Sequence, residues 1–426
     1  MERQERRTRV RYLLIVLIFG ISAVAYLDRT NISVAGLPMS ADYHIDRIRL
    51  GWVFSAFLLG YAGFQIPAGW LAGRYGPRLV LALGLVWWAV FSVATTLVPP
   101  AMAGSLWLLI AVRFVLGIGE AVMYPAANQF IAAWFPAAER GTANGWVFGG
   151  VGVGAGITPP IVTWVMLAYG WRSAFWLSAA VGLVAAAVWY GMARNRPEDH
   201  PAVSSAELAH IKRGQPPTPG EALPPVPWRQ IFTSRTVWLL VVAYTAFGYV
   251  AFIFLTWFFI YLAQGRGLNL KSSAGYTMLP FIAMTVCCLA GGVISDWLSR
   301  VKGQYLGRSL YGAFTLILTA LFVLVGSHAQ STPVAVLALA GGAGAVYLGQ
   351  NCYWAVAADY AGPYTGVVSG LLNMGCQIAG AVTASLTPYL AERFGWSAAF
   401  YTAAAIAFLC AFAWLGVEPG HRLQSR

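Results

Sequence analysis

Four ionisable residues, Asp28, Arg29, Arg113 and Glu120, stand in stretches that are otherwise apolar. At the middle of a lipid bilayer each such charge costs about 2.5–3.5 kcal/mol on insertion scales. Packing alone does not repay that cost. An arginine in a cavity offers a planar fork of donors that matches a carboxylate, and it stays charged at any ordinary pH. It therefore holds anions well and carries protons badly. The two acids can carry protons, because an arginine that moves toward or away from a buried carboxyl changes its proton affinity. The plain alternative is structural. Arg113 and Glu120 lie seven positions apart, on one helix face and about 10.5 Å along the axis, where they could serve as an ion pair.

The rest of the chain says what must hold these groups. It has 426 residues, 59% hydrophobic and 10% charged. Soluble domains carry roughly 25% charged residues, so a soluble enzyme, a disordered chain and a disulfide-rich secreted protein are excluded. The 18 Trp, 20 Tyr and 23 Phe suit interfacial aromatic belts. The net charge of +12 resides mostly in short loops, so topology explains it and no nucleic-acid partner is expected. Cys287, Cys288, Cys352, Cys376 and Cys410 lie in apolar runs without metal-ligand spacing. No metal or cofactor is expected. The first apolar run lacks a small-residue cleavage site and reads as a full span rather than a signal peptide.

A bilayer-crossing helix needs about 20 mostly apolar residues. Such runs fall at 12–37, 49–72, 79–98, 104–134, 141–168 and 172–193, then at 236–262, 273–298, 308–327, 333–358, 364–390 and 396–417. The expected fold is all-α: twelve transmembrane helices in two six-helix pseudo-repeat bundles, residues 1–193 and 236–426. Between them lies a linker, 194–235, with eight of the 22 prolines. In it Ser204-x-x-Glu207 signals one capped surface helix, and Pro216-Pro217-Thr218-Pro219-Gly220 reads as connector. With the N-terminus inside, nineteen Lys/Arg fall on the cytoplasmic side and six outside. By the positive-inside rule both termini are cytoplasmic; the expected location, a bacterial inner membrane, rests on the resemblance described next. The halves also repeat. Gly170-Trp171-Arg172-Ser173-Ala174-Phe175 matches Gly395-Trp396-Ser397-Ala398-Ala399-Phe400, and Gly141 and Gly145 match Gly366 and Gly370. Parallel six-span repeats are a transporter architecture, with the site between the halves near mid-bilayer.

These residues resemble a family. The loop after span 2, Gly69-Trp70-Leu71-Ala72-Gly73-Arg74-Tyr75-Gly76-Pro77-Arg78, is similar to the gating motif of the major facilitator superfamily. Its repeat is Gly292-Val293-Ile294-Ser295-Asp296-Trp297-Leu298-Ser299-Arg300. Within that superfamily the chain resembles the anion:cation symporters, which include hexuronate, glucarate and galactonate permeases and the sialic acid and vesicular glutamate transporters. The carrying residues are Tyr26-Leu27-Asp28-Arg29-Thr30-Asn31-Ile32-Ser33, Tyr61, Arg113-Phe114-x-x-Gly117-x-Gly119-Glu120-Ala121 with Tyr124-Pro125, and Ser369-Gly370-Leu371-x-Asn373-x-Gly375. The resemblance implies that Arg29 binds the substrate carboxylate and that Asp28 and Glu120, with Arg113, couple transport to protons. It implies gating by Gly69, Arg74, Arg78, Asp296 and Arg300. Many members have Asp where this chain has Gly73, which leaves Asp296 as the intact gate carboxylate. Some relatives place a polar amide in span 5. Here Trp146-Val147-Phe148-Gly149-Gly150-Val151 is apolar, which favours a less hydroxylated ligand.

Softer candidates complete the site. Tyr26 and Tyr61 can hydrogen-bond a substrate or pack between helices, and Arg29 adjoins a Thr30-Asn31 stretch that reads as unwound. Asn373 can read hydroxyls. Gln350, Asn351 and Trp354 in span 10 can face the site or pack. The glycines from Gly149 to Gly156 suit close helix packing and faintly resemble a drug-antiporter motif. The histidines, His44, His200, His210, His328 and His421, fall in loops or at span ends. The expected function is proton-coupled symport of a small organic anion, a sugar acid in the first instance, by rocking of the two bundles. Another organic anion, anion exchange and drug extrusion are the rivals. Two cavity arginines argue against cationic substrates, and nothing in the sequence supports an enzyme or receptor.

Overall fold

The computed structural model describes residues 8–136, 140–212, 227–361 and 365–419. Among these, twelve helices are long and apolar enough to cross a membrane. They are spans 1 to 6, at Val10–Asp42, Arg47–Tyr75, Pro77–Leu97, Ser105–Ile131, Gly145–Tyr169 and Trp171–Met192, and spans 7 to 12, at Arg235–Thr256, Leu270–Lys302, Tyr305–His328, Thr332–Ala361, Val367–Phe394 and Trp396–Leu415. The count is even, so spans 1 and 12 open and close on one face, here the termini face.

Helix stops in one half recur in the other. Span 2 runs unbroken to Tyr75 and stops at Gly76 (φ 83°); span 8 runs to Lys302 and stops at Gly303 (φ 90°). Gly170 and Gly395, each with φ 84°, open spans 6 and 12. A left-handed φ is available to glycine at little cost, so these four positions are where the chain can turn sharply. The gating motifs read as loops therefore lie mostly inside helices. Nothing in Gly69–Tyr75 or Gly292–Arg300 breaks a helix before the positive-φ glycine arrives.

Other spans break where the sequence reading ran straight through. Span 4 consists of Ser105–Glu120 and Met123–Trp134, and span 10 of Thr332–Leu348 and Gln350–Ala361. Span 7 passes through a short helix, Phe258–Ile260, into a π-turn at Tyr261–Gly265. Span 1, by contrast, is one helix from Val10 to Asp42. The unwinding expected at Thr30-Asn31 is not there. Asn31 Nδ2 donates to Ser178 Oγ of span 6 at 3.2 Å, so the side chain reaches between helices and does not break span 1.

Span 5 packs along spans 1 and 8, and span 2 along span 11. Glycine makes the first contact possible. A Cβ on Gly150 would come within 2.5 Å of Phe19 O, and one on Gly154 within 2.2 Å of Ala23 O. This is small-residue packing, as read for the Gly149–Gly156 run. The halves are joined on the face away from the termini. Ser33 Oγ donates to Thr256 O (2.7 Å), Ser55 Oγ donates to Ala381 O (2.6 Å), and the Phe54 and Trp257 rings lie 5.3 Å apart.

On the termini face a surface helix, Ser205–Ile211, is capped by Ser204 Oγ, which accepts from Glu207 N. Its Glu207 is fully buried and accepts from Thr8 Oγ1 (2.6 Å), Val10 N (3.1 Å), Arg11 N (3.2 Å) and Arg11 Nη1 (3.3 Å). The first donors of span 1 are thereby satisfied by the segment that follows span 6. The Pro216–Gly220 stretch lies outside the described residues.

Candidate functional site

Asp28 and Arg29 are consecutive on span 1, so their side chains leave the helix about 100° apart and meet different partners. Arg29 Nε donates to Glu120 Oε1 at 2.5 Å. Asp28 Oδ1 accepts from Ser92 Oγ of span 3 at 2.7 Å, and Arg113 is the opposite charge that acts on it most. All four ionisable side chains are buried, Asp28 and Glu120 almost completely. The Arg113–Glu120 pair weighed from sequence is not what forms. Glu120 is the last residue of the first segment of span 4, and its carboxylate is taken by span 1.

The arginine's other atoms are left for something else. Arg29 Nη1 and Nη2 make no well-formed hydrogen bond to protein, and neither does Glu120 Oε2. The guanidinium lies over three rings: Tyr61 (4.4 Å from Cζ to the centroid), Tyr26 (5.0 Å) and Phe57 (5.4 Å). Cation–π contacts of this kind contribute about 0.5–2 kcal/mol each. The Tyr61 and Tyr124 hydroxyls and Trp354 Nε1 also lack a well-formed partner. Buried donors are paired in the great majority of native structures, so donors this incompletely paired beside a buried arginine suit a ligand with acceptor oxygens.

An aromatic chain runs from this cluster into the second half. Tyr124 stacks on Phe148 (5.4 Å, 11°), Phe148 meets Trp354 of span 10 (5.6 Å), and Trp354 meets Tyr244 of span 7 (6.3 Å). Arg113 also lies over Phe57, 5.1 Å from its centroid.

The Major Facilitator Superfamily model matches residues 18–384. The chain belongs to the Major Facilitator Superfamily. It is a transporter and not an enzyme. The probable sulfoacetate transporter of Cupriavidus necator is 34% identical over 92% of this chain and 90% of that protein. The probable galactarate/D-glucarate transporter of Escherichia coli is 31% identical over 92% and 89%. Among solved structures, a bacterial homologue of the lysosomal transporter Spinster, described as inward-facing and occupied, superposes with a TM-score of 0.74 over 95% of this chain and 96% of that one. At 17% identity that likeness shows the fold.

In this superfamily member the other predicted site residues are dispersed. Gln350 begins the second segment of span 10, as Glu120 ends the first segment of span 4. Its Oε1 accepts from Cys288 Sγ (3.6 Å), and Asn351 Nδ2 donates to Cys288 O (2.7 Å). Both amides thus hold span 10 to span 8. Asn373 is half-buried, and no hydrogen bond among the described residues ties it to the Arg29 cluster. The gate residues divide as well. Asp296 Oδ1 accepts from Arg308 Nη2 at 2.7 Å, a partner not foreseen, while Arg300 Nε reaches only the Asp296 carbonyl (3.3 Å). Arg78 donates from Nε (2.9 Å) and Nη2 (2.7 Å) to Tyr190 O. Arg74 lies over Trp70 and Tyr75, and Gly69 O accepts from Gln129 Nε2 (2.9 Å).

Sequence reasoning left Ser92, Phe57, Tyr244 and Arg308 out of the site, and took Phe148 only as one residue of the apolar run Trp146–Val151. Tyr124 could have been found, since it follows Glu120 by four residues and such pairs share a helix face. Ser92 had no such signal, because it reaches Asp28 only through the packing of spans 1 and 3.

Proposed function

We propose that this protein carries a small organic anion across a bacterial inner membrane in symport with protons. The observation that carries the reading is the buried fork of Arg29, which lies over Tyr26 and Tyr61 and whose Nη1 and Nη2 have no well-formed protein partner while Glu120 takes Nε. A carboxylate can accept from Nη1 and Nη2 together, the bidentate geometry in which arginine excels. Tyr61 and Tyr124 add hydroxyl donors beside it. Sugar acids are the class the family resemblance names, and the relatives named for galactarate/D-glucarate and sulfoacetate also carry anion names.

Coupling follows from charge. With Glu120 ionised, the Arg29–Glu120 pair is neutral and an entering carboxylate finds no net positive charge. A proton on Glu120 cancels its charge and leaves Arg29 as a full cation for the anion. Proton and anion therefore favour each other's binding, and the favour is reciprocal. Asp28, beside Arg113, offers a second proton position by the same logic. Alternating access is the rocking of residues 1–193 against 236–426 about this site. The termini face is cytoplasmic, and the contacts of Ser33 and Ser55 close the periplasmic side. Asp296 with Arg308 ties spans 8 and 9 at the cytoplasmic end.

The test is binding of a panel of uronates, aldarates and sulfonated carboxylates to purified wild type and Arg29→Lys. Lysine keeps the charge and loses the fork, so affinity for the best anion falls at least about tenfold. Wild-type affinity in Arg29→Lys removes Arg29 as the anion's ligand.

A further inference from the structure

We infer that Phe148 selects compact, sparsely hydroxylated anions over extended polyhydroxylated ones and screens the site from the termini face. This rests on the anion-transport reading above.

Residues 148, 152 and 156 form one row of span 5, four residues apart on a helix face, and the row looks at the second half. A Cβ on Gly152 would lie 1.8 Å from Thr285 Oγ1 and one on Gly156 would lie 3.6 Å from Phe281 Cβ, both of span 8. There the halves touch with nothing between them. One turn nearer the termini face, the same row carries a phenyl ring, and Phe148 fills the distance to Trp354. The neighbouring Trp146 takes no part, being 49% exposed and packed on Phe19. Of the apolar run Trp146–Val151, Phe148 is therefore the aromatic side chain set between the halves.

Its position relative to the fork follows from span 4. Glu120 holds Arg29, Tyr124 lies one turn further toward the termini face, and Phe148 is stacked on Tyr124. The Ser33 and Ser55 hydrogen bonds join the halves on the opposite face, and the Phe148–Trp354 contact joins them on the termini-face side of Arg29. In this reading an anion whose carboxylate occupies the fork extends the rest of its skeleton toward these rings. A skeleton with a hydroxyl on every carbon would press oxygens on a phenyl face that cannot hydrogen-bond them, which costs unless each finds a partner. A short anion such as sulfoacetate, with one methylene and no hydroxyl between its two acidic groups, keeps its second charge close to the Arg29 cation and presses no hydroxyl on the rings.

The experiment is uptake into proteoliposomes of sulfoacetate and galactarate, compared as kcat/KM in wild type, Phe148→Leu and Phe148→Gln. Wild type should prefer sulfoacetate at least about tenfold. Phe148→Leu keeps an apolar wall and should keep that preference, whereas the amide of Phe148→Gln should move the ratio toward galactarate by about tenfold or more. A purely structural Phe148 would lower both rates together and leave the ratio unchanged, which overturns the inference. So does a wild type that prefers galactarate, a result that needs no variant. A wild type that carries neither these nor any other anion refutes the underlying transport reading instead.

Discussion

Arg29 and Glu120 are 91 positions apart in the chain and joined at 2.5 Å through Arg29 Nε and Glu120 Oε1. The pairing uses the one guanidinium N–H that lies off the fork. It neutralises the arginine without occupying the two nitrogens that would face a carboxylate. A buried pair of this kind adds little to stability, since desolvation offsets most of the attraction, while loss of one partner typically costs about 3–5 kcal/mol. Its persistence in an apolar chain is thus better explained by what it does with ligands and protons.

Helix packing gives an independent check on the fold. Gly154 lies where span 5 crosses span 1, with Ala23 O 2.2 Å from where its Cβ would stand, whereas Gly145 on the same helix has open space. Gly154→Val should lose about 1–3 kcal/mol by overpacking and melt several degrees lower in detergent. Gly145→Ala should melt at or slightly above the wild-type temperature. Equal melting of the two variants would contradict the close approach of spans 1 and 5.

Orientation is tested by labelling. In a chain stripped of its five native cysteines, a Cys at the exposed Ala41 should react with an impermeant thiol reagent from the periplasmic side. One at the exposed Asp199 should react only after the cytoplasmic side is opened. The reverse pattern would overturn the reading of nineteen basic residues inside against six outside.

Much of this architecture was legible in the residues. Apolar length located all twelve spans, and the Gly170/Gly395 repeat announced the two halves before both glycines proved to share one φ. Glycine spacing announced the packing of span 5. The site was legible as a set of costly groups and not as a set of pairs. Asp28, Arg29, Arg113 and Glu120 stand out because a membrane penalises them. Which acid meets which arginine depends on how spans 1, 3 and 4 are rotated, and no spacing within one helix reports that. The same holds for Arg308, which counted only among the nineteen cytoplasmic basic residues until the start of span 9 brought it to Asp296. Phe148 and Trp146 were equivalent apolar letters. Only the rotation of span 5 separates the ring between the halves from the ring on the outside.

The most direct test of the coupling account measures two activities of Glu120→Gln in the same proteoliposomes. One is counterflow, the exchange of internal for external anion, and the other is accumulation driven by an imposed proton gradient. The amide resembles a permanently protonated acid and still offers an oxygen to Arg29 Nε. Binding and exchange need only the fork and its hydrogen bonds, whereas coupling needs a group whose charge changes. The account predicts that Glu120→Gln retains counterflow and loses accumulation, and that Asp28→Asn divides the two activities in the same way. Full proton-driven accumulation by Glu120→Gln would contradict it, leaving the Arg29–Glu120 pair a structural tie with no part in coupling.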